Sequence, residues 1–353
     1  MLAQTDSSSG SNRRNHVTAQ ASAATLAAAR LSTQATLAQD YIALRVLDEK
    51  KRLLDHQIES YRRTLQISQN KYNVGVSARN DVISAQAQLD ATRAQALDVG
   101  VQRAAYEHAI AVLVGRAPGG LAIAVQPGLT LGVPDVPLQL PSDLLERRPD
   151  IAAAERAVAA ANARVGVQTA AYFPDITLSA EGGYQGSPLD RLFRVPFRFW
   201  SLGFNASETL LDFGARSAQV QAARAAYDAS VAGYRQAVLT AFQQVEDNLA
   251  GLRIQAEEAT IQEAAIAEAA EAARITTNEY KAGTVDYTTV VTAQVAELSV
   301  RESALAVLQS RLTETVALIE ALGGGWHASD LPTPAQARSA ATTAPGTVAA
   351  AKE

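Results

Sequence analysis

Few side chains in this chain are placed to do covalent chemistry. The four histidines, His16, His56, His108 and His327, are widely separated, and none stands at a metal-ligand spacing. Cysteine is absent, which removes disulfides, thiolate metal sites, cysteine nucleophiles and any lipid-acceptor thiol. Ser142-Asp143 reads as a helix start rather than a nucleophile, and Gly119-Gly120 and Gly323-Gly324-Gly325 do not sit in a strand-to-helix phosphate loop. The sequence predicts no enzyme, no cofactor and no metal. The reactive-looking groups gather instead at two turns. One holds Arg79, Asn80, Asp81 and Ser84; the other holds Asp286, Tyr287, Thr289 and Thr292. Such turn charges are usually solvated and contribute under about 1 kcal/mol each. Their interest lies in what positions them.

They are positioned by a repeat. Shifting the sequence by 208 places residues 19–115 on residues 227–323 without a gap, with Leu44/Leu252, Arg45/Arg253, Ile58/Ile266, Tyr72/Tyr280, Gly75/Gly283, Gln86/Gln294, Arg103/Arg311 and Gly115/Gly323 among the identities. Repetition of this kind governs architecture before any local motif does. From Ala19 to Tyr72 there is no proline, and Leu37, Tyr41, Leu44, Leu47, Leu54, Ile58, Tyr61 and Leu65 recur at spacings of three, four and seven. That is a coiled-coil seam, matched in the second copy by Val238, Phe242, Val245, Leu249 and Leu252. Roughly fifty residues of helix would extend about 80 Å. Gly75 and Gly283 supply left-handed caps at the tips. Return helices are expected over 80–115 and 287–322, so each repeat is a long antiparallel helical hairpin.

The segments between the hairpins differ in kind. Residues 116–141 are rich in glycine and proline and read as an extended connector. Arg147-Arg148-Pro149-Asp150 opens a helix running to about Ala171, with Pro149 at its first position and Asp150 near its positive end. Two strands follow, Ile176–Gln185 and Arg198–Leu210, each alternating apolar and polar residues as a membrane barrel strand does. Phe193, Phe197, Phe199 and Trp200 add interfacial aromatics. The division expected is a disordered 1–18, a first repeat over 19–115 that holds only its helical hairpin, the 116–141 connector, a second repeat over 142–326 with a β-hairpin at 173–210 and a helical hairpin at 211–322, and a disordered tail at 327–353.

Composition narrows the possibilities. Aromatics make up 5% and net charge is −5 with both signs interspersed, so no basic face is available for nucleic acid. Residues 1–18 lack the apolar stretch of a signal peptide, and no run of 18 apolar residues occurs.

At residues 140–178, LPSDLLERRPDIAAAERAVAAANARVGVQTAAYFPDITL resembles the signature of TolC/OprM-type outer-membrane efflux ducts, which serve resistance–nodulation–division pumps. NKYNVGV, NEYKAG and the closing Gly323-Gly324-Gly325-Trp326 fit the same family, and the resemblance spans roughly 19–326. It implies a mainly α chain that trimerises into one duct: long helices form an α-barrel in the periplasm, and strands join a shared β-barrel in outer-membrane lipid. It also implies a periplasmic adaptor, an inner-membrane pump, and tips that close the duct. In such a trimer Asp81 and Asp286 would form rings favouring cations, and Arg79 would pair with an acid across a protomer boundary.

The chain departs from the pattern in lacking a signal sequence, a lipid-bearing cysteine, and the first repeat's opening helix and strands. An N-terminal truncation is therefore expected. Six strands from three copies would not close a barrel of that size. Where many members carry acids at the second tip, this chain has Thr289 and Thr292, opposite Asp81 and Ser84 in the first. The rival expectation is a non-transporting helical scaffold.

Overall fold

A computed structural model describes residues 2–126, 128, 132, 147–184, 198–333, 335 and 336, with side chains from residue 14 onward. Helix α1 spans Leu2–Asn73 and α2 Arg79–Leu113; α3 spans Pro149–Ala170. Strands β1, Asp175–Tyr184, and β2, Arg198–Ser207, precede α4, Ala215–Ala282, and α5, Tyr287–Ala321. Among the described residues no helix is long and apolar enough to cross a membrane, and no group of side chains could hold a metal ion. The chain forms two compact units, one from residues 29–142 and 242–324 and one from residues 1–28, 143–241 and 325–353. These units cut across the two sequence repeats, because α1 and α4 each contribute to both.

In the first unit the repeat is visible to the residue. Helices α2 and α5 begin and end 208 positions apart, and so do Gly75 (φ 77°) and Gly283 (φ 84°) at the tips. At each tip a backbone N–H reaches five residues back, Val76 to the Lys71 carbonyl at 2.9 Å and Thr284 to the Glu279 carbonyl at 3.0 Å. That bond closes a helix end only when the intervening residue adopts a left-handed conformation, hence the glycines.

Helix α1 is the centre of this unit. Leu47, Leu54, Ile58 and Tyr61 pack against Leu89, Ala96 and Val99 of α2 and Leu298 of α5. Its Ile42 and Val46 meet Leu312 of α5, and Val245 of α4 packs on Leu318 and Ala321 of α5. The helices are therefore ordered α2, α1, α5, α4. Residues 85, 89, 92, 96 and 99 of α2 are buried at alternating spacings of four and three, as a knobs-into-holes seam requires. Helix α1 is buried more widely than a seam: residues 42–48 are covered all round, because α1 has neighbours on two sides. None of the matching positions on α4, residues 250–256, is buried, and Ile254 is 57% exposed.

The connector is pinned by charges that periodicity did not single out. Asp48 receives Arg45 Nη1 at 3.0 Å and Arg103 Nε at 2.6 Å. Arg45 also donates to the Ala124 carbonyl at 2.8 Å, Arg103 donates to the Ile123 carbonyl at 2.6 Å, and Glu107 accepts from the Ile123 amide. The extended reading of the connector meets a single 3₁₀ turn, Pro118–Gly120, before these contacts; most of its later residues lie outside the described set.

In the second unit, α3 starts at Pro149 as expected. Strands β1 and β2 pair antiparallel with Ile176 opposite Ala206, Leu178 opposite Phe204, Ala180 opposite Leu202 and Gly182 opposite Trp200. Directly opposed residues share a face, so these apolar positions fall on one side, with Phe199, opposite Gly183, on the other. Phe193 and Phe197 lie outside the described residues.

Two expectations are corrected. The helix begins at Leu2 instead of after a disordered 1–18: no proline interrupts that stretch, and its serines, asparagines and Gly10 lower helix propensity without ending the helix. Disorder at the start of the 327–353 tail is also corrected: a 3₁₀ turn, Ala328–Asp330, is capped reciprocally by His327 and Asp330, and Gln20 of α1 donates to the Pro332 carbonyl at 3.1 Å, while residues 337–353 lie outside the described residues.

Replacing Asp48 with Ala leaves two arginines without their shared acceptor in a dry site, and should lower stability by about 3 kcal/mol in equilibrium denaturation. A loss below about 1 kcal/mol would show that the cluster does not hold the connector.

Candidate functional site at the hairpin tips

The two tips start their return helices differently. Asp286 is the N-cap of α5: its carboxylate accepts from the Thr289 amide at 2.9 Å and the Thr289 hydroxyl at 2.7 Å. The Thr289 contacts hold the Asp286 carboxyl below its ordinary value, so it stays charged at neutral pH. The residue equivalent to Asp286 is Ala78, which offers no side-chain cap. Asp81 sits in the first turn of α2, where the helix dipole favours an acid, and accepts a hydrogen bond from Ser77 Oγ. Arg79 and Ser84 are exposed, and Arg79 has no ion-pair partner among the described residues. Thr292 is exposed and bonds back to the Thr288 carbonyl.

Tyr287 behaves differently from the rest. It is 3% exposed, in a cluster with Ala85, Tyr280 and Val290. Its ring meets Tyr280 edge-on at 5.9 Å. Burial raises its phenol pKa, with the neighbouring Tyr61, Tyr280 and Asp81 adding to the rise. It is a packing residue in the isolated chain.

The contacts that join the repeats at the tip escaped the sequence reading. Ser68 Oγ and the Tyr280 hydroxyl lie 2.9 Å apart in a buried site. The Lys71 ammonium stands 4.0 Å from the Tyr280 ring centre and donates to the Tyr280 carbonyl. Gln294 is buried and its amide reaches Thr64 Oγ1 at 3.4 Å. Ser68 and Thr64 lie four apart on α1, and that polar pairing along an otherwise apolar seam was the available signal. Together these contacts make a tip that can hold a fixed set of charges at the end of two rigid hairpins. It contains no nucleophile–base pair.

The Asp286 cap gives a pH dependence of known sign. A folded-state pKa below the ordinary value means the contribution is complete above the unfolded value of about 3.9 and disappears as pH falls through the lower folded value. Protection of the Thr289 amide, its exchange rate relative to that of an unstructured peptide at the same pH, should fall over that acid range in the natural chain. Asp286→Ala should remove the protection at every pH, and Asp286→Asn should keep a protection that does not change with pH. Unchanged protection in Asp286→Ala would discard the cap.

The chain has clear relatives. The family model described as "outer membrane efflux protein" matches residues 10–116 and 140–324. The probable efflux pump outer membrane protein TtgC of Pseudomonas putida is 29% identical over 304 residues, covering 85% of this chain and 63% of that protein. The chain thus spans less than two thirds of that relative's length. Among solved structures, the outer-membrane channel OprN superposes with a TM-score of 0.82 at 29% identity over 92% of this chain and 72% of that one. The open state of the Neisseria gonorrhoeae MtrE outer membrane channel superposes with a TM-score of 0.79 at 27% identity, over 94% and 74%. With the family model covering both hairpins, the α3 signature and the strand pair, the chain belongs to the outer membrane efflux protein family.

Proposed function

We propose that this chain is a subunit of a passive channel of the outer membrane, serving a tripartite pump that exports drugs or other small amphiphilic solutes. Its partners are further copies of itself forming a trimer, outer-membrane lipid, a periplasmic adaptor and an inner-membrane pump of the resistance–nodulation–division class. The hairpin unit stands in the periplasm, and the tip residues Arg79, Asp81, Ser84, Asp286, Tyr287, Thr289 and Thr292 shape its gate, turning on Gly75 and Gly283.

One observation carries this reading. The β1–β2 hairpin presents Leu178, Trp200, Leu202 and Phe204 on a single face, and all four are 64–75% exposed. Water penalises such a surface; lipid does not. The opposite face carries Thr177, Ser179, Glu181, Ser201 and Asn205, as the water-filled side of a barrel requires. Both outer edges of the hairpin unit support association between copies. Helix α2 exposes Ile83, Leu97 and Val101, and α4 exposes Ile254, Ile261 and Ile275, whose spacings of 7 and 14 residues are whole heptads. TtgC and MtrE supply the functional precedent, the first as a probable efflux pump protein and the second as a channel with an open state.

Purified in detergent, the chain should scatter as a particle of three times its 37.2 kDa mass. In a Trp326→Phe background, Trp200 fluorescence should be quenched by brominated lipid after reconstitution. A monomer with unquenched Trp200 would overturn the proposal, and an oligomer with unquenched Trp200 would indicate a helical scaffold. In planar bilayers, Asp81→Asn with Asp286→Asn, made in a chain extended at its N-terminus by the first repeat's strands, should move single-channel selectivity away from cations. Unchanged selectivity would remove both carboxylates from the gate.

A further inference from the structure

Arg311 of α5 is a cation without an acceptor. Its Nε is buried, and no hydrogen bond or ion pair reaches its guanidinium among the described residues. The 208-residue offset places it on Arg103, which is fully engaged. There Nε meets the Asp48 carboxylate at 2.6 Å, Nη1 meets Glu107 at 3.0 Å and Nη2 meets the Ile123 carbonyl at 2.6 Å. At the positions of Asp48 and Glu107 the second repeat has Ala256 and Thr315, and the Thr315 hydroxyl is bonded to the Arg311 carbonyl at 2.7 Å. The second repeat thus keeps the cation and has neither acid. A buried N–H with no acceptor is costly, so an occupant that brings one is favoured.

There is room for one. Arg311 lines an open groove of about 530 Å³ between α1, α4 and α5, which Gly128 of the connector also lines. Leu53 of α1, Ile266 of α4, and Leu305 and Leu308 of α5 give the groove an apolar bed. From Arg301 to Arg311 it follows α5 for about 15 Å, the span of an alkyl chain of about ten carbons. The other charges of the lining do not serve Arg311. Arg52 pairs with Glu49, and Arg301 pairs with Glu297 at 2.9 Å. Glu263 is exposed and forms no ion pair among the described residues, so solvent screens it.

We infer that this groove binds a single-chain carboxylic acid, its carboxylate received by Arg311 and its alkyl chain laid along α5 toward Arg301. A carboxylate is the head group that the fork of a guanidinium receives through two parallel hydrogen bonds. It is also the group that Arg103 finds in Asp48 and Glu107. Small-molecule sites have this make-up, an apolar lining with a charged group that fixes orientation. The bound chain touches Leu53 and Ile266 together, and so links the two helices that flank α5. All of the lining belongs to one chain and to one of its compact units, so binding is independent of self-association and of transport.

The probe is decanoic acid carrying a diazirine in its chain. It is added to the full chain in a nonionic maltoside, irradiated, and located by mass spectrometry of proteolytic peptides. Label should fall on the peptides that hold Leu53, Ile266 and Leu305, and decanoate should displace it where decanol does not. Arg311→Gln should cut the labelling about tenfold, because it removes a charge-assisted, bidentate contact. Arg311→Lys should fall between, keeping the charge without the fork. Helix content by circular dichroism should be the same in all three chains. Label confined to the strand pair, or spread evenly along α1 and α4, would overturn the site. Label in the groove that decanol displaces equally well, or that Arg311→Gln leaves unchanged, would overturn the recognition of a carboxylate and with it the inferred ligand.

Discussion

The organisation of this protein depends on α1 having two neighbours. A helix with one partner buries a narrow stripe, and a helix with two must bury most of its circumference. Around residues 42–48 α1 does the latter, and takes Arg45 and Asp48 inside with its aliphatic residues. Those buried charges are tolerable only because each meets an opposite charge or a carbonyl, and the carbonyls belong to the connector. The same packing that joins the two hairpins thus also ties down the segment that leads from one repeat to the next. In the second copy Arg253 and Arg311 remain, but Ala256 replaces the shared acid.

The two copies share a backbone and differ in their surroundings. Matched helix ends and matched left-handed glycines show one hairpin design used twice. Yet Tyr280 is buried where Tyr72 is 41% exposed, because α1 covers one tip and nothing among the described residues covers the other. Duplication followed by side-to-side packing always leaves such an inequality: the inner pair of helices is satisfied and the outer pair is not. Closed rings of copies remove the inequality, since each outer edge then meets the complementary edge of a neighbour.

A second unmet surface lies on the strand pair. Its register gathers Ile176, Leu178, Ala180, Trp200, Leu202, Phe204 and Ala206 on one side, and Leu178, Trp200, Leu202 and Phe204 are exposed among the described residues. The two open surfaces ask for different partners. The strand face offers bulky, flat, water-averse groups suited to acyl chains, whereas the helix edges offer spaced isoleucines, valines and charges suited to another helix. Their coexistence in one chain is what a self-assembling membrane conduit needs.

Much of this was written in the residues. The glycines at 75 and 283, the absence of proline before them and the 208-residue echo placed the return helices to within a residue or two, because caps and repeats act locally. Alternation placed both strands for the same reason. The length of α1 at its start was misread: polar, serine-rich composition says little about order when every residue is compatible with helix. The tip was legible only in part. Its charged and hydroxyl residues stood out, but the burial of Tyr287, the roles of Ser68, Lys71 and Tyr280, and the Asp48 cluster did not. Periodicity records that a face is apolar or polar; it cannot record which helix comes to lie against it. That choice is made by packing, and it is packing that turned two nearly identical hairpins into one finished joint and one uncovered tip.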